Sequence, residues 1–108
     1  MIEIYDYNGE DFKAVMQFEG WKIGFLRYSE RFSKFACLER HLNTDEAFVL
    51  LNGDAVLYTE TETIKMQKCK LYNIKKGEWH HITVSENATV LVIENSDTSK
   101  LNTQKRDI

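Results

Sequence analysis

Apolar and polar residues alternate with a period that changes once along the chain. Between residues 8 and 20, Phe12, Val15 and Met16 fall on one face at the i, i+3, i+4 spacing of a helix. This spacing predicts one short N-terminal helix over residues 8–20. From Trp21 onward the period is two, which is typical of β-strands.

The period-two part of the chain divides into about eight short segments separated by turn residues. We predict strands over residues 21–28, 33–41, 46–51, 55–59, 61–66, 70–74, 79–84 and 88–94. The clearest turn is Asn52, Gly53 and Asp54, a hairpin signal that makes residues 55–59 the partner of the strand before it. Short strands at this spacing indicate a sandwich or barrel. The polar tail from residue 96 onward is expected to be disordered or docked at its end.

Length and charge narrow the class of protein. A chain of 108 residues with 43% hydrophobic residues fits one domain, with the barrel core at about residues 21–95. The net charge of −3 argues against a nucleic-acid partner. No apolar run approaches membrane-spanning length and no signal peptide is visible, so we expect a cytoplasmic protein with no membrane contact. Cys37 and Cys69 are then expected to be reduced.

The three histidines are the strongest candidates for chemistry. His41 ends one predicted strand, His80 begins another, and Glu46 follows a short loop. Glu39 lies two residues before His41, and therefore on the same face of its strand. Imidazole nitrogens and carboxylate oxygens are ligands for Zn, Fe, Ni and Mn, and these four side chains can converge on one divalent ion. The alternative is that the histidines are surface or hydrogen-bonded residues.

Two stretches of the sequence resemble the motifs of the cupin superfamily. The first motif reads His-x-His, three or four residues, Glu, six residues, Gly; His41, Glu46 and Gly53 match it. The second motif reads Gly, five residues, Pro-x-Gly, two residues, His, three residues, Asn. Gly77 and His80 match its second glycine and its histidine. The resemblance covers residues 35–95 and implies an all-β, cupin-type jelly-roll barrel that holds a metal ion inside through the motif residues.

The chain departs from these motifs at several positions. Glu39 stands where the family has its first histidine, either as a fourth, anionic ligand or as a salt-bridging residue that leaves three ligands. Cys69, Lys75 and Val84 replace the first glycine, the proline and the asparagine of the second motif. The pattern is most similar to a subgroup of small single-domain cupins without a settled activity.

Four further residues have a functional and a structural interpretation. Tyr72, Tyr58 and Cys37 are candidates for lining a ligand pocket, although tyrosines more often pack in a barrel wall and a cysteine is more often simply buried. His81 follows His80 directly, so strand alternation turns it to the opposite face. We expect His81 to be exposed or to lie behind the ligands rather than to bind the ion.

These observations predict a metal-dependent cupin that acts on, or senses, a small polar metabolite such as a sugar or a carboxylate. The alternative is a non-catalytic cupin, a binding or structural module without metal. Isomerase, lyase and dioxygenase chemistry all fit such a site, so whether the protein is an enzyme is left open. We also expect a homodimer through residues 2–35, because this segment carries more aromatic surface than one small barrel readily covers, including Trp21, Phe25, Phe32 and Phe35.

Overall fold

A computed structural model describes all 108 residues and contains ten strands and two single-turn 3-10 helices, at Glu30–Phe32 and Lys100–Asn102. The strands are β1 (Phe12–Phe18), β2 (Trp21–Arg27), β3 (Cys37–His41), β4 (Glu46–Asn52), β5 (Ala55–Thr59), β6 (Thr63–Lys65), β7 (Leu71–Ile74), β8 (His80–Val84), β9 (Thr89–Asn95) and β10 (Thr103–Asp107). No helix of the structure has the length and apolar character needed to cross a membrane.

The strands form two five-stranded antiparallel sheets, as expected for a jelly-roll barrel. One sheet has the order β1-β2-β9-β4-β7 and the other the order β10-β3-β8-β5-β6. Period-two alternation sends every second side chain between the sheets. The resulting core contains thirteen buried residues: Leu26, Phe32, Phe48, Leu50, Ala55, Leu57, Met66, Ile74, Ile82, Val84, Ala88, Val90 and Val92.

The predicted N-terminal helix is wrong, because residues 12–18 form strand β1. β1 pairs with β2 from Phe12 opposite Leu26 to Phe18 opposite Trp21. The register shifts between Ala14 and Met16, at a β-bulge. A bulge inserts one residue into the alternation, so apolar residues become adjacent and imitate helical spacing. Pairing with β2 decided the structure against this local pattern.

The predicted hairpin at Gly53 is also wrong in its pairing. The turn exists, and Gly53 has a positive φ of 77° that favours glycine. However, β4 pairs with β7 and β9, whereas β5 pairs with β6 and β8. The turn therefore carries the chain from one sheet to the other, because both strands bury apolar side chains in the shared core.

The C-terminal tail is docked as β10, which pairs with β3 over five residue pairs. Trp79, just before β8, holds this edge of the sheet. The guanidinium groups of Arg40 on β3 and Arg106 on β10 lie 4.5 Å and 4.7 Å from its ring centroid. Both ends of the chain thus add a strand outside residues 21–95.

We expect Trp79→Leu to loosen β10, because leucine keeps apolar volume but removes the aromatic face that both arginines contact. Cation–π contacts are worth about 0.5–1 kcal/mol each at exposed sites, so unfolding free energy should fall by about 1 kcal/mol or more. Amide hydrogen exchange at residues 103–107 should accelerate. Trp21→Leu, on β2, is the control and should leave that exchange unchanged. Unaltered exchange in Trp79→Leu would show that the arginine contacts do not hold β10.

The predicted homodimer rests on apolar surface near the N-terminus. Phe32 is 4% exposed and faces the core, so it does not contribute. Met1, Ile2 and Ile4 are almost fully exposed, and Trp21 is 39% exposed. Since exposed apolar side chains can mark interaction surfaces, we propose that a second copy of the chain covers the N-terminal segment that carries Ile2 and Ile4.

Light scattering at tens of micromolar protein should therefore give the mass of a dimer. The double variant Ile2→Asp, Ile4→Asp should shift the mass toward the monomer, because buried carboxylates disfavour the interface. Leu101→Asp, at an exposed site near the opposite end of the sequence, should leave the mass unchanged. A monomeric wild-type protein at this concentration would refute the proposal.

Candidate metal centre

Three strands bring His41, Glu46 and His80 to one point inside the barrel. His41 ends β3, Glu46 begins β4 and His80 begins β8. β3 and β8 are neighbours, with Glu39 opposite His80. The main-chain amide of Gly77 donates to the carbonyl oxygen of His41 at 2.8 Å, which ties the end of β3 to the turn before β8.

The loop before Glu46 is anchored by a carboxylate. Asp45 accepts hydrogen bonds from the side-chain amide of Asn73 at 3.0 Å and from the main-chain amide of Lys76 at 2.8 Å. These hydrogen bonds lower the pKa of Asp45 below its ordinary value. They also fix the position at which β4 starts, and with it the Glu46 side chain.

One carboxylate oxygen is shared by both imidazoles. Nε2 of His41 lies 3.0 Å and Nε2 of His80 2.9 Å from Oε1 of Glu46. One ligand atom from each of the three residues lies within 4.8 Å of the others. Their side chains are 6–11% exposed, so the cluster is nearly shielded from solvent. The structure therefore brings together three of the four ligands that the sequence predicted.

The far nitrogen of each ring also has a partner. Nδ1 of His41 is 2.9 Å from the hydroxyl of Thr103, and Nδ1 of His80 is 3.0 Å from the carbonyl oxygen of Glu78. A carbonyl can only accept, so Nδ1 of His80 carries a proton. In the neutral ring, the lone pair of His80 is consequently on Nε2 and directed at the centre of the cluster.

The electrostatics of the cluster follow from burial and contact. Burial alone would raise the pKa of Glu46, but hydrogen bonds with His41 and His80 outweigh it and hold that pKa well below its ordinary value. Burial alone would lower the pKa of His80, but the Glu46 carboxylate raises it. Without a metal ion, Glu46 and His80 therefore favour the charged pair.

Glu94 is a member of the site that the sequence interpretation missed. It is 8% exposed, and burial together with a hydrogen bond to Glu46 raises its pKa to about 8. The ammonium of Lys22 lies 3.8 Å from its Oε1. A signal was present in the sequence, because Val90, Val92 and Glu94 are alternate residues of one strand and must face the same side.

Glu39 is set apart from the cluster. Its carboxylate lies 3.6 Å from the guanidinium of Arg31, and it is not among the atoms that converge. Arg31 also contacts Asp11 at 3.6 Å. The salt-bridging role is thus the one the structure shows for Glu39, with Arg31 as the partner.

The remaining candidates do not join the cluster. Tyr58 stacks on Phe35 with ring centroids 4.2 Å apart, and the Tyr72 hydroxyl accepts from the amide of Gln67 at 2.9 Å. Neither tyrosine nor Cys37 lines the cavity beside the cluster. His81 is 6% exposed, so it is buried rather than exposed, and its Nε2 is 3.1 Å from the carbonyl oxygen of Lys34.

A cavity of about 340 Å³ opens beside the cluster, at the small end of the volumes typical of ligand sites. One part of its wall is apolar, and the other carries charged and hydroxyl groups. The apolar residues are Phe12, Leu26, Phe32, Phe48, Ile82 and Val92. The polar residues are Lys22, Arg31, Glu39, His41, Glu46, His80, His81, Glu94, Thr98, Ser99, Lys100 and Thr103.

No protein-family model matches the sequence, and no curated protein matches it either. Solved structures do match. A cupin-2 domain protein from Shewanella frigidimarina is 20% identical with a TM-score of 0.69, over 82% of this chain and 84% of that one.

Two more distant matches have the same architecture. A Klebsiella pneumoniae protein with a double-stranded β-helix domain is 10% identical with a TM-score of 0.72, over 97% of this chain and 86% of that one. Streptomyces PAC13, solved with uridine, is 9% identical with a TM-score of 0.66, over 98% of this chain and 92% of that one. The sequence resemblance is confirmed at the level of structure: this chain has the fold of the small cupin-superfamily proteins.

Proposed function

We propose that this chain is a metal-dependent cupin that acts on, or senses, a small polar metabolite such as a sugar or a carboxylate. The observation that carries the proposal is the convergence of His41, Glu46 and His80 beside a cavity of metabolite size. A solved protein of the same fold, PAC13, holds uridine, which is itself a small polar molecule.

The cluster fits a divalent ion in both chemistry and spacing. Two histidines and one carboxylate form a ligand set that leaves coordination positions open. Two ligand atoms at right angles, each about 2.1 Å from one ion, are about 3.0 Å apart. The separations of 2.9 Å and 3.0 Å between Glu46 and the two imidazoles match this value, and all three ligand atoms lie within 4.8 Å of one another.

The cavity residues suggest how the site would work. A divalent ion held there would supply Lewis acidity toward a carbonyl or hydroxyl of the ligand. Glu39 lines the cavity without joining the cluster, so its carboxylate would be the general base beside the ligand once it is released from Arg31. Phe12 and Phe32, which line the same cavity, would help to exclude water from it.

The alternative function is a non-catalytic cupin without metal, and a specific observation favours it. His41, Glu46 and His80 already satisfy one another through hydrogen bonds, as a structural polar network would. Glu39, which replaces the first histidine of the family motif, is engaged by Arg31. Metal content separates the two functions.

Elemental analysis of protein purified without a histidine tag should find one divalent ion per chain. His80→Ala should lose the ion, because two ligands rarely retain one. The matched control His81→Ala should keep it, since His81 does not join the cluster. Glu39→Gln should weaken binding only if Glu39 moves to become a fourth ligand, and should leave it unchanged in a three-ligand site.

Two results would contradict the metal proposal. One is full metal content in folded His80→Ala. The other is a melting temperature that chelator leaves unchanged in protein shown to contain metal, because an ion that binds only the folded state must stabilise it.

The metal-free protein should lose stability as pH rises from about 4.5 to 8. The pKa of Glu94 is raised from 4.5 to about 8 in the fold, so the folded state keeps a proton that the unfolded chain has released. Burial and the Glu46 carboxylate raise the pKa of Glu94, whereas the positive charges of Lys22 and His41 lower it. The raised pKa of His80 acts in the same direction, because its contribution is lost as pH rises through its folded pKa.

Thermal denaturation of chelator-treated protein between pH 5 and 8.5 measures the slope of melting temperature against pH. Glu94→Gln should flatten it, because the amide cannot titrate. The melting temperature of metal-loaded protein should instead rise with pH, since only neutral imidazoles bind the ion. A slope that Glu94→Gln leaves unaltered would show that Glu94 is not protonated in the fold.

A further inference from the structure

Lys22 presents a nearly buried ammonium group to the cavity. Its side chain is 15% exposed, and Nζ donates one hydrogen bond, to the carbonyl oxygen of Thr98 at 2.9 Å. The Glu94 carboxyl at 3.8 Å is an ion-pair contact but lies beyond hydrogen-bond distance. An ammonium has three donors, so two of them have no hydrogen-bonded partner in the protein.

Thr98 supplies a second unsatisfied group at the same place. Its hydroxyl oxygen is buried and has no hydrogen-bond partner, the one such side-chain atom in the structure. Thr98 and Lys22 both line the cavity. Since buried polar groups are nearly always hydrogen-bonded, two neighbouring ones with free donors point to a ligand that accepts from both.

The position of this pair relative to the metal centre limits the ligand. Nζ of Lys22 lies 3.8 Å from Oε1 of Glu94, and Glu94 lines the same cavity as Glu46 of the cluster. The ammonium is therefore separated from the cluster by one carboxyl group. A molecule small enough for the cavity can reach both places at once.

We propose that Lys22 and Thr98 bind the carboxylate of a small hydroxy acid whose hydroxyl end lies toward His41, Glu46 and His80. The ammonium donates to one carboxylate oxygen, and the threonine hydroxyl, after rotation about χ1 toward the cavity that Thr98 lines, donates to the other. A neutral sugar would leave the Lys22 charge uncompensated by the ligand. The position of the ligand hydroxyl beside the cluster rests on the proposed function. The binding of the carboxylate depends only on Lys22 and Thr98.

A carboxylate fits these donors better than a phosphate group does. Proteins usually hold phosphate with arginine or with a series of main-chain amides. Here the donors are one ammonium and one hydroxyl, which match the two oxygens of a carboxylate. Arg31 also lines the cavity, but it is already engaged by Asp11 and Glu39.

Calorimetric titration with matched pairs of ligands tests the inference. Gluconate is compared with sorbitol, and lactate with propane-1,2-diol; within each pair the carboxylate is the main difference. In at least one pair the acid should bind about ten-fold more tightly, as a charge-assisted hydrogen bond provides. Rising salt should reduce this preference.

Variants test which residues cause the preference for the acid over its neutral partner. Lys22→Gln keeps a donor for the Thr98 carbonyl but removes the charge, so the preference should disappear while metal content stays the same. Lys22→Arg should restore it. Thr98→Val should weaken binding of the acid and leave the neutral partner unchanged. The control Lys65→Gln, at an exposed position on β6, should behave as the wild type.

The inference is overturned if neither acid is preferred by the wild type, if folded Lys22→Gln keeps the preference, or if inorganic phosphate displaces the preferred acid at lower concentration than the acid itself needs. Each titration is repeated on chelator-treated protein. A Lys22-dependent preference in a protein that takes up no divalent ion even when one is supplied would refute the proposed metal function but support the carboxylate site. Bound metal without any preference would refute the carboxylate site alone.

Discussion

A single buried carboxylate, that of Glu46, is the constraint on which this end of the barrel depends. An isolated buried charge costs several kcal/mol, so a carboxylate 8% exposed requires partners. His41 and His80 supply them through the same oxygen. The requirement fixes where β3 ends and where β4 and β8 begin.

The same arrangement serves two chemical purposes. In the metal-free protein the rings donate to Glu46, and with an ion the same nitrogens would provide lone pairs. The contacts at the far nitrogens, to Thr103 and to the carbonyl of Glu78, orient both rings in either case. The hydrogen bonds alone therefore do not distinguish an ion site from a polar network. The cavity favours a binding role over a purely structural one, since a structural network needs no adjoining space lined by charged groups.

The sequence predicted the cluster because its members follow strand ends at a motif spacing, which is local information. Glu94 needed a different inference, that one charged residue in an apolar alternating strand faces the interior. The errors have a common physical origin. The bulge in β1 and the turn at Gly53 are local features, but the partner of each strand is chosen by long-range pairing and by the shared core. Local periodicity contains little information about that choice.

The misassigned N-terminal strand matters to the site as well as to the fold. β1 carries Phe12, whose ring forms part of the apolar wall of the cavity. The neighbouring strand β2 makes room for this ring with Gly24, where a methyl group would lie 2.5 Å from the ring and from the carbonyl of Lys13. β2 also carries Lys22, on the polar side. Two adjacent strands thus supply both an apolar wall and a cation. A carboxylate ligand in this cavity would therefore lie between an ammonium group on β2 and an aromatic ring on β1, and the position of both depends on the pairing of these two strands.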